Sequence, residues 1–189
     1  EFPILEKKIN NNKMVYLDSA ASAQKPKQVI ETLNKAYLET YSNIHRGLHW
    51  LSEQSTSKYE DVRRKVANFL GATDHNEIIF GSGATQLINL IANSWGRRFL
   101  KSDDEIIITI ADHHANIVPW QLVAQQTGAK IKAVPVDDNG NFNINDLDDL
   151  ITEKTKIISV PHVSNVLGTI FPVKEIAKLA HKVNAICVV

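Results

Sequence analysis

With 189 residues and 21.1 kDa, the chain can bury about 70% of the surface its unfolded form would expose, so it can hold a core without staples. Lys plus Arg is 21 and Asp plus Glu is 21, with 43% hydrophobic residues, a balance that excludes disordered and fibrous classes and the basic footprint of a dedicated nucleic-acid or membrane-surface binder. One cysteine, Cys187, excludes an internal disulfide, and apolar runs such as Ile106 to Ile110 fall far short of the roughly 18 residues of a membrane span, so the expectation is a reducing cytoplasm, no membrane and no nucleic acid.

The chain opens on Glu1-Phe2-Pro3, and no targeting peptide is read there. Residues 1–73 read as a helical lead-in. One amphipathic helix follows Lys25-Pro26 (Val29, Ile30, Leu33, Ala36, Tyr37), and a second runs from Ser52 to Leu70 (Tyr59, Val62, Val66, Phe69), with a polar loop from Tyr41 to His49 between them. Residues 74–189 then alternate short β-branched runs with helical stretches. Glu77 to Phe80 predicts a strand, Thr85 to Arg97 a buried helix, Glu105 to Ile110 a fully buried strand, and Ile117 to Thr127 a helix. Lys130 to Val136 predicts a strand and Asp137 to Asn141 a turn. Asn145 is read as the cap of a short helix, Lys156 to Val160 as a strand, Pro172 as the start of a helix, and Ala185 to Val189 as a last strand. Strands alternating with helices imply an α/β fold with a mostly parallel sheet flanked by helices.

Ligands of such sheets gather beyond the carboxyl ends of the strands. Three segments there carry chemistry. Gly81-Ser82-Gly83-Ala84-Thr85-Gln86 leads into a helix; small residues let backbone N–H groups approach an anion and the Thr85 hydroxyl can donate, although a plain turn with Thr85 as N-cap reads equally from spacing. Asp112-His113-His114-Ala115-Asn116 offers imidazoles as acid/base groups or flat platforms, or as loop residues only. Asn165, in Pro161 to Gly168, is a side-chain donor to a ligand or the holder of a loop. No metal site is read: His45-x-x-x-His49 is interrupted by Gly47 and lacks a zincin glutamate. Cys187 lies inside an apolar strand with no adjacent histidine, which fits a core thiol and not a nucleophile.

Five runs carry a resemblance: Tyr16 to Pro26, His45 to Ser52, Ile88 to Gly96, His113 to Gln121 and His162 to Gly168. In order and in register they closely resemble the SufS-type (group II) cysteine desulfurases, within the class V aminotransferases. The resemblance implies the large domain of a fold-type I pyridoxal-phosphate-dependent transferase, incomplete here. It implies a homodimer that takes sulfur from L-cysteine, leaves alanine and an enzyme persulfide, and hands the sulfur to a SufE- or SufU-like acceptor protein of iron-sulfur cluster assembly. By the same resemblance Ala84 and Thr85 bind the pyridoxal 5'-phosphate, His113 stacks on its ring and relays protons, Asn165 meets its phenolic oxygen, and Ala20, Ala21, His45, Arg46 and Gln86 lie on the substrate side.

The sequence also departs from that family. Ser82 and Gln86 stand where the subgroup commonly carries arginine and glutamate, so a charged pair is replaced by a neutral one, and Asp112 stands for a glutamate. The chemistry needs a lysine to hold the cofactor as a Schiff base, a carboxylate at the pyridine nitrogen and a cysteine to accept sulfur. None of the 16 lysines sits at a strand exit. The expectation is that all three groups lie beyond Val189, that a C-terminal domain is absent, and that the 189-residue chain alone is inactive. A selenocysteine lyase or another class V relative is the nearest alternative, and a non-catalytic binding fragment the alternative of a different class.

Overall fold

A computed structural model describes residues 1–189, which form two compact units, Glu1–Phe80 and Gly81–Val189. The first opens with a 3-10 turn, Pro3–Glu6, and a short antiparallel hairpin of β1 (Lys8–Ile9) and β2 (Asn12–Lys13). The hairpin reverses through Asn10 and Asn11, both left-handed at φ 49° and 65°, a conformation asparagine tolerates better than most residues. Helix α1 (Lys27–Lys35) runs on into a π-helical turn, Ala36–Thr40. Helix α2 (Trp50–Leu70) starts two residues before the predicted Ser52, because the His49 side chain already accepts from the Ser52 N–H at 3.3 Å. It ends at Gly71, whose φ of 73° supplies the left-handed C-terminal residue.

One expectation for residues 1–80, the strand at Glu77–Phe80, is corrected, while both expected helices form. The apolar faces read into both helices are not buried: α1 has no buried residue, and α2 buries Ser52 and Ala67 while Phe69 is 88% exposed. Periodicity defines an apolar face but does not supply something to pack on it. The strand expected at Glu77–Phe80 is absent. His75–Glu77 is a 3-10 turn closed by an Asp74/Glu77 capping box, and residues 78–80 are extended but unpaired, since no strand offers them a ladder. Arg63 holds this segment instead, donating from Nη1 to the Ile78 carbonyl at 2.6 Å and lying over the Phe80 ring.

In the second unit, α3 (Ala84–Ile91) continues through a π-helical turn, Ala92–Gly96, into α4 (Arg97–Phe99). Contrary to expectation α3 is not buried. Ile88 and Ile91 pack inward, but Leu90 is 46% exposed, so one face has a partner and the other has none. The remaining elements are β3 (Glu105–Thr109), α5 (Val118–Thr127), β4 (Lys130–Val134), α6 (Ile144–Asp148), β5 (Thr155–Ser159), α7 (Val173–Lys182) and β6 (Ile186–Val188). Ile110 falls outside its expected strand and is exposed. The cap of α6 is Asn143, whose side chain accepts from the Asn145 N–H, so the predicted Asn145 is already inside the helix.

The strands form one parallel sheet in the order β4-β3-β5-β6. Successive strand residues point to opposite faces, and each face has its own core. Ile107 and Ile158 pack with Leu147 of α6 and Ile176 and Ala180 of α7, whereas Ile106, Ile108 and Ile157 pack with Trp120 and Val123 of α5 and Ala92. Cys187 is half-buried against the first of these cores, where burial pushes its thiol up from the ordinary range. At the foot of the sheet the buried Glu105 carboxylate accepts from Lys132 Nζ at 2.8 Å and from Thr152 Oγ1 at 2.7 Å.

Candidate active site

The chain leaves β3 toward β4 on one side and leaves β5 toward β6 on the other, so the strand order reverses between β3 and β5. A crevice at the carboxyl ends of such strands is where open α/β sheets take ligands. The loops leaving these two strands carry His113 and Asn165.

The His113 loop is held by a polar cluster. His113 caps the 3-10 turn His114–Asn116, its Nδ1 accepting from the Ala115 N–H at 3.0 Å, and its own N–H donates to Asp112 Oδ1 at 2.7 Å. Because Nδ1 accepts, the ring proton of the neutral imidazole sits on Nε2, and the ring itself is exposed. Asn116 is buried beneath it. Its Nδ2 donates to Asp112 Oδ2 at 2.6 Å, and its Oδ1 accepts from Trp120 Nε1 at 3.0 Å and from Ser159 Oγ at 2.7 Å.

The Asn165 loop is tied to the same place. The buried Ser164 hydroxyl donates to the Ala111 carbonyl at 2.7 Å, and Gly168, left-handed at φ 72°, lets the loop return so that its N–H reaches the Ser164 carbonyl. Next to this anchor the Asn165 side chain is exposed and bonds to no protein group.

Helix α3 packs against the His114–Asn116 turn, which brings a third element to the same part of the fold. Its N-cap is Gly83, with no side-chain cap, so the reading of Thr85 as N-cap is corrected: Thr85 is the second residue of the helix. The first N–H groups of α3 therefore lack an intrachain acceptor, the Thr85 hydroxyl is exposed without a protein partner, and the space where a Gly83 side chain would be is open. Gln86 Oε1 folds back to accept from the Ser82 N–H at 2.6 Å and Oγ at 3.0 Å, a neutral clasp that shapes the turn. A Cβ on Gly81 would come within 2.6 Å of the Leu87 Cδ2 methyl and 2.9 Å of Gln86 Oε1, so both side chains would have to shift. Uncapped N–H groups and a hydroxyl suit a phosphate, an imidazole face suits a flat ring, and an amide suits a ring oxygen; the donor set fits a phosphorylated aromatic ligand.

Comparisons with known proteins give the family. The Aminotransferase class-V family model matches residues 15–189. The chain belongs to the aminotransferase class-V family. Among curated relatives it is 50% identical over 188 residues to a probable cysteine desulfurase of Halalkalibacterium halodurans, covering 100% of this chain and 46% of the relative. It is 48% identical over 185 residues to a cysteine desulfurase of Synechococcus elongatus, covering 98% of this chain and 30% of the relative. Of solved structures, the apo cysteine desulfurase of Thermococcus onnurineus superimposes with a TM-score of 0.86 at 37% identity over 98% of this chain and 46% of that one. The Escherichia coli cysteine desulfurase CsdA gives 0.79 at 38% identity over 91% and 43%. The fold is that of the fold-type I large domain, and the chain spans about half the length of the relatives it matches.

His113 and Asn165 stand in the loops that leave β3 and β5, and Ala84, Thr85 and Gln86 open the helix that packs against the His114–Asn116 turn. Ala20, Ala21, His45 and Arg46 lie in the other unit. Ala20 and Ala21 form an exposed turn closed by the Ser22 N–H to the Asp18 carbonyl at 3.0 Å. His45 and Arg46 are left-handed at φ 57° and 51°. His45 Nε2 meets Glu60 Oε1 at 2.9 Å, and that hydrogen bond, with the nearby Arg63 charge, holds the Glu60 carboxyl below its usual range despite partial desolvation. Gly47 must remain glycine, because a Cβ would meet Ser52 Oγ at 2.1 Å. Sequence reasoning missed Asn116, Ser159 and Ser164, whose only signal is a buried polar residue beside a strand end.

Proposed function

We propose that this chain is part of a SufS-type, pyridoxal-phosphate-dependent cysteine desulfurase. L-Cysteine and an enzyme thiol yield L-alanine and an enzyme persulfide, one C–S bond breaking as one S–S bond forms, and a SufE- or SufU-like acceptor of iron-sulfur cluster assembly takes the sulfur. What supports the reading is a chain about half identical to cysteine desulfurases that leaves the α3 start uncapped and the His113 ring and Asn165 amide exposed.

When bound, the cofactor supplies an electron sink for the substrate carbon bonds. The chain's residues do the rest. The N–H groups of Ala84 and Thr85 and the Thr85 hydroxyl would hold the phosphate; His113 would offer its ring as a platform, with the movable proton at Nε2; Asn165 would donate to the ring oxygen. The lysine that anchors the cofactor and the sulfur-accepting cysteine belong to the other half of the homodimeric, cytoplasmic parent, along with its C-terminal domain. By the family resemblance, Ala20, Ala21, His45, Arg46 and Gln86 would belong to the substrate side of the parent enzyme. Alanine release from L-cysteine tests the proposal: the parent-length protein with cofactor should form alanine and the 189-residue chain should not. Absence of alanine from the parent, or turnover by the short chain, overturns it.

A further inference from the structure

The buried amide of Asn116 has no place in the chemistry above, yet both of its side-chain polar atoms are hydrogen-bonded. It is 6% exposed and joins four groups. Oδ1 takes the Ser159 hydroxyl at the end of β5 and the Trp120 indole of α5, while Nδ2 turns the other way to Asp112 Oδ2, and the backbone N–H closes on the His113 carbonyl at 2.8 Å. Asp112 in turn uses its second oxygen for the His113 N–H. Every bond in this chain of contacts is directional, and an amide accepts on one arm and donates on the other at any pH, whereas a carboxyl of the same size does so only when protonated. Fully satisfied buried networks of this kind rigidify what they touch.

We propose that Asn116 is the positioning residue for His113: it links Ser159 to Asp112, fixes the turn that presents the Ala115 N–H to His113 Nδ1, and so keeps the ring in the Nε2–H tautomer facing the site. The inference rests on the reading of His113 as ring platform only for its functional meaning; the tautomer itself is read without cofactor, so the two can fail separately.

The test is the pair of ring-nitrogen shifts of His113 in the isotope-labelled 189-residue chain, followed against pH. Asn116→Asp keeps the acceptor for Ser159 and Trp120 but sets a carboxylate against Asp112 Oδ2, where an amide donated at 2.6 Å. Two carboxylates so close cannot both ionise freely, so they share a proton that leaves as pH rises. The expected result is a Nε2–H to Nδ1–H ratio lower by about fivefold at neutral pH, one ordinary hydrogen bond's worth, and recovering as pH falls through that shared titration. Exchanging both residues, Asp112→Asn with Asn116→Asp, restores one amide facing one carboxylate and should restore the ratio; a merely structural polar core has no reason to do so. Should Asn116→Asp fail to fold, Ser159→Ala, which removes a single donor, should lower the ratio less and in the same direction. Unchanged His113 shifts in a folded Asn116→Asp or Ser159→Ala chain, or a folded double exchange that does not recover, overturns the proposal.

Discussion

Helices α1 and α7 read alike in sequence: each is short, charged on one side and apolar on the other. In the structure α7 buries Ile176 and Ala180 against Ile158 and Val160, whereas α1 buries nothing and leaves Val29, Ile30 and Leu33 each at least 43% exposed. An amphipathic pattern states which face is apolar; the partner comes from elsewhere in the fold. In Gly81–Val189 a parallel sheet supplies it on both sides, and in Glu1–Phe80 the contacts among α1, the π-helical turn and α2 leave most apolar side chains in water.

Substitutions sharpen this contrast. Ile176→Ala should lower unfolding free energy by about 2–5 kcal/mol in chemical denaturation, since it removes a fully buried side chain from a packed core. A loss below about 1 kcal/mol would break the comparison from the α7 side. Next comes the foot of the sheet. Burial alone would raise the Glu105 carboxyl, but hydrogen bonds from Lys132 and Thr152 and the Lys132 charge outweigh it and hold the group below its ordinary value. A depressed carboxyl contributes stability above its unfolded value, 4.5, and loses it as pH falls through the lower folded value. Lys132→Ala should therefore cost about 2 kcal/mol at pH 7, less than a fully buried pair because Lys132 is partly exposed, and should flatten the stability profile below pH 5; equal slopes in both proteins would contradict the assignment. Gly47→Ala should destabilise the first unit by about 1–3 kcal/mol, read from hydrogen exchange along α2, because its Cβ has no room beside Ser52. The smallest effect belongs to Leu33→Ala in α1, within about 0.5 kcal/mol.

The sheet of the second unit is legible because each strand carries β-branched residues, densest at Ile106 to Thr109 in β3, and each is flanked by a helix or a turn such as Asp137 to Asn141, where Gly140 is left-handed at φ 78°. Glu77–Phe80 carries the same signal, yet remains an unpaired extended segment, because a strand is defined by a neighbour that no local pattern reveals. The site divides in the same way. Thr85, His113 and Asn165 stand at the ends of readable elements, so motif and position pointed to them together. Asn116 and Ser164 did not stand out, because their partners lie 43 and 53 residues away in sequence, and only the sheet brings Ser159 and Ala111 to them.

The central claim is that the α3 start, the His113 loop and the Asn165 loop form one site for a phosphorylated ring. The most direct test is a titration of the 189-residue chain with pyridoxine 5'-phosphate, whose alcohol cannot react with surface lysines, followed by amide chemical shifts. The account predicts weak, saturable shifts centred on Ala84, Thr85, Gln86, His113 and Asn165, lost in Thr85→Val, which removes the free hydroxyl while leaving the helix start in place. Saturable shifts centred elsewhere, or shifts at Thr85 without any at His113 and Asn165, would contradict it.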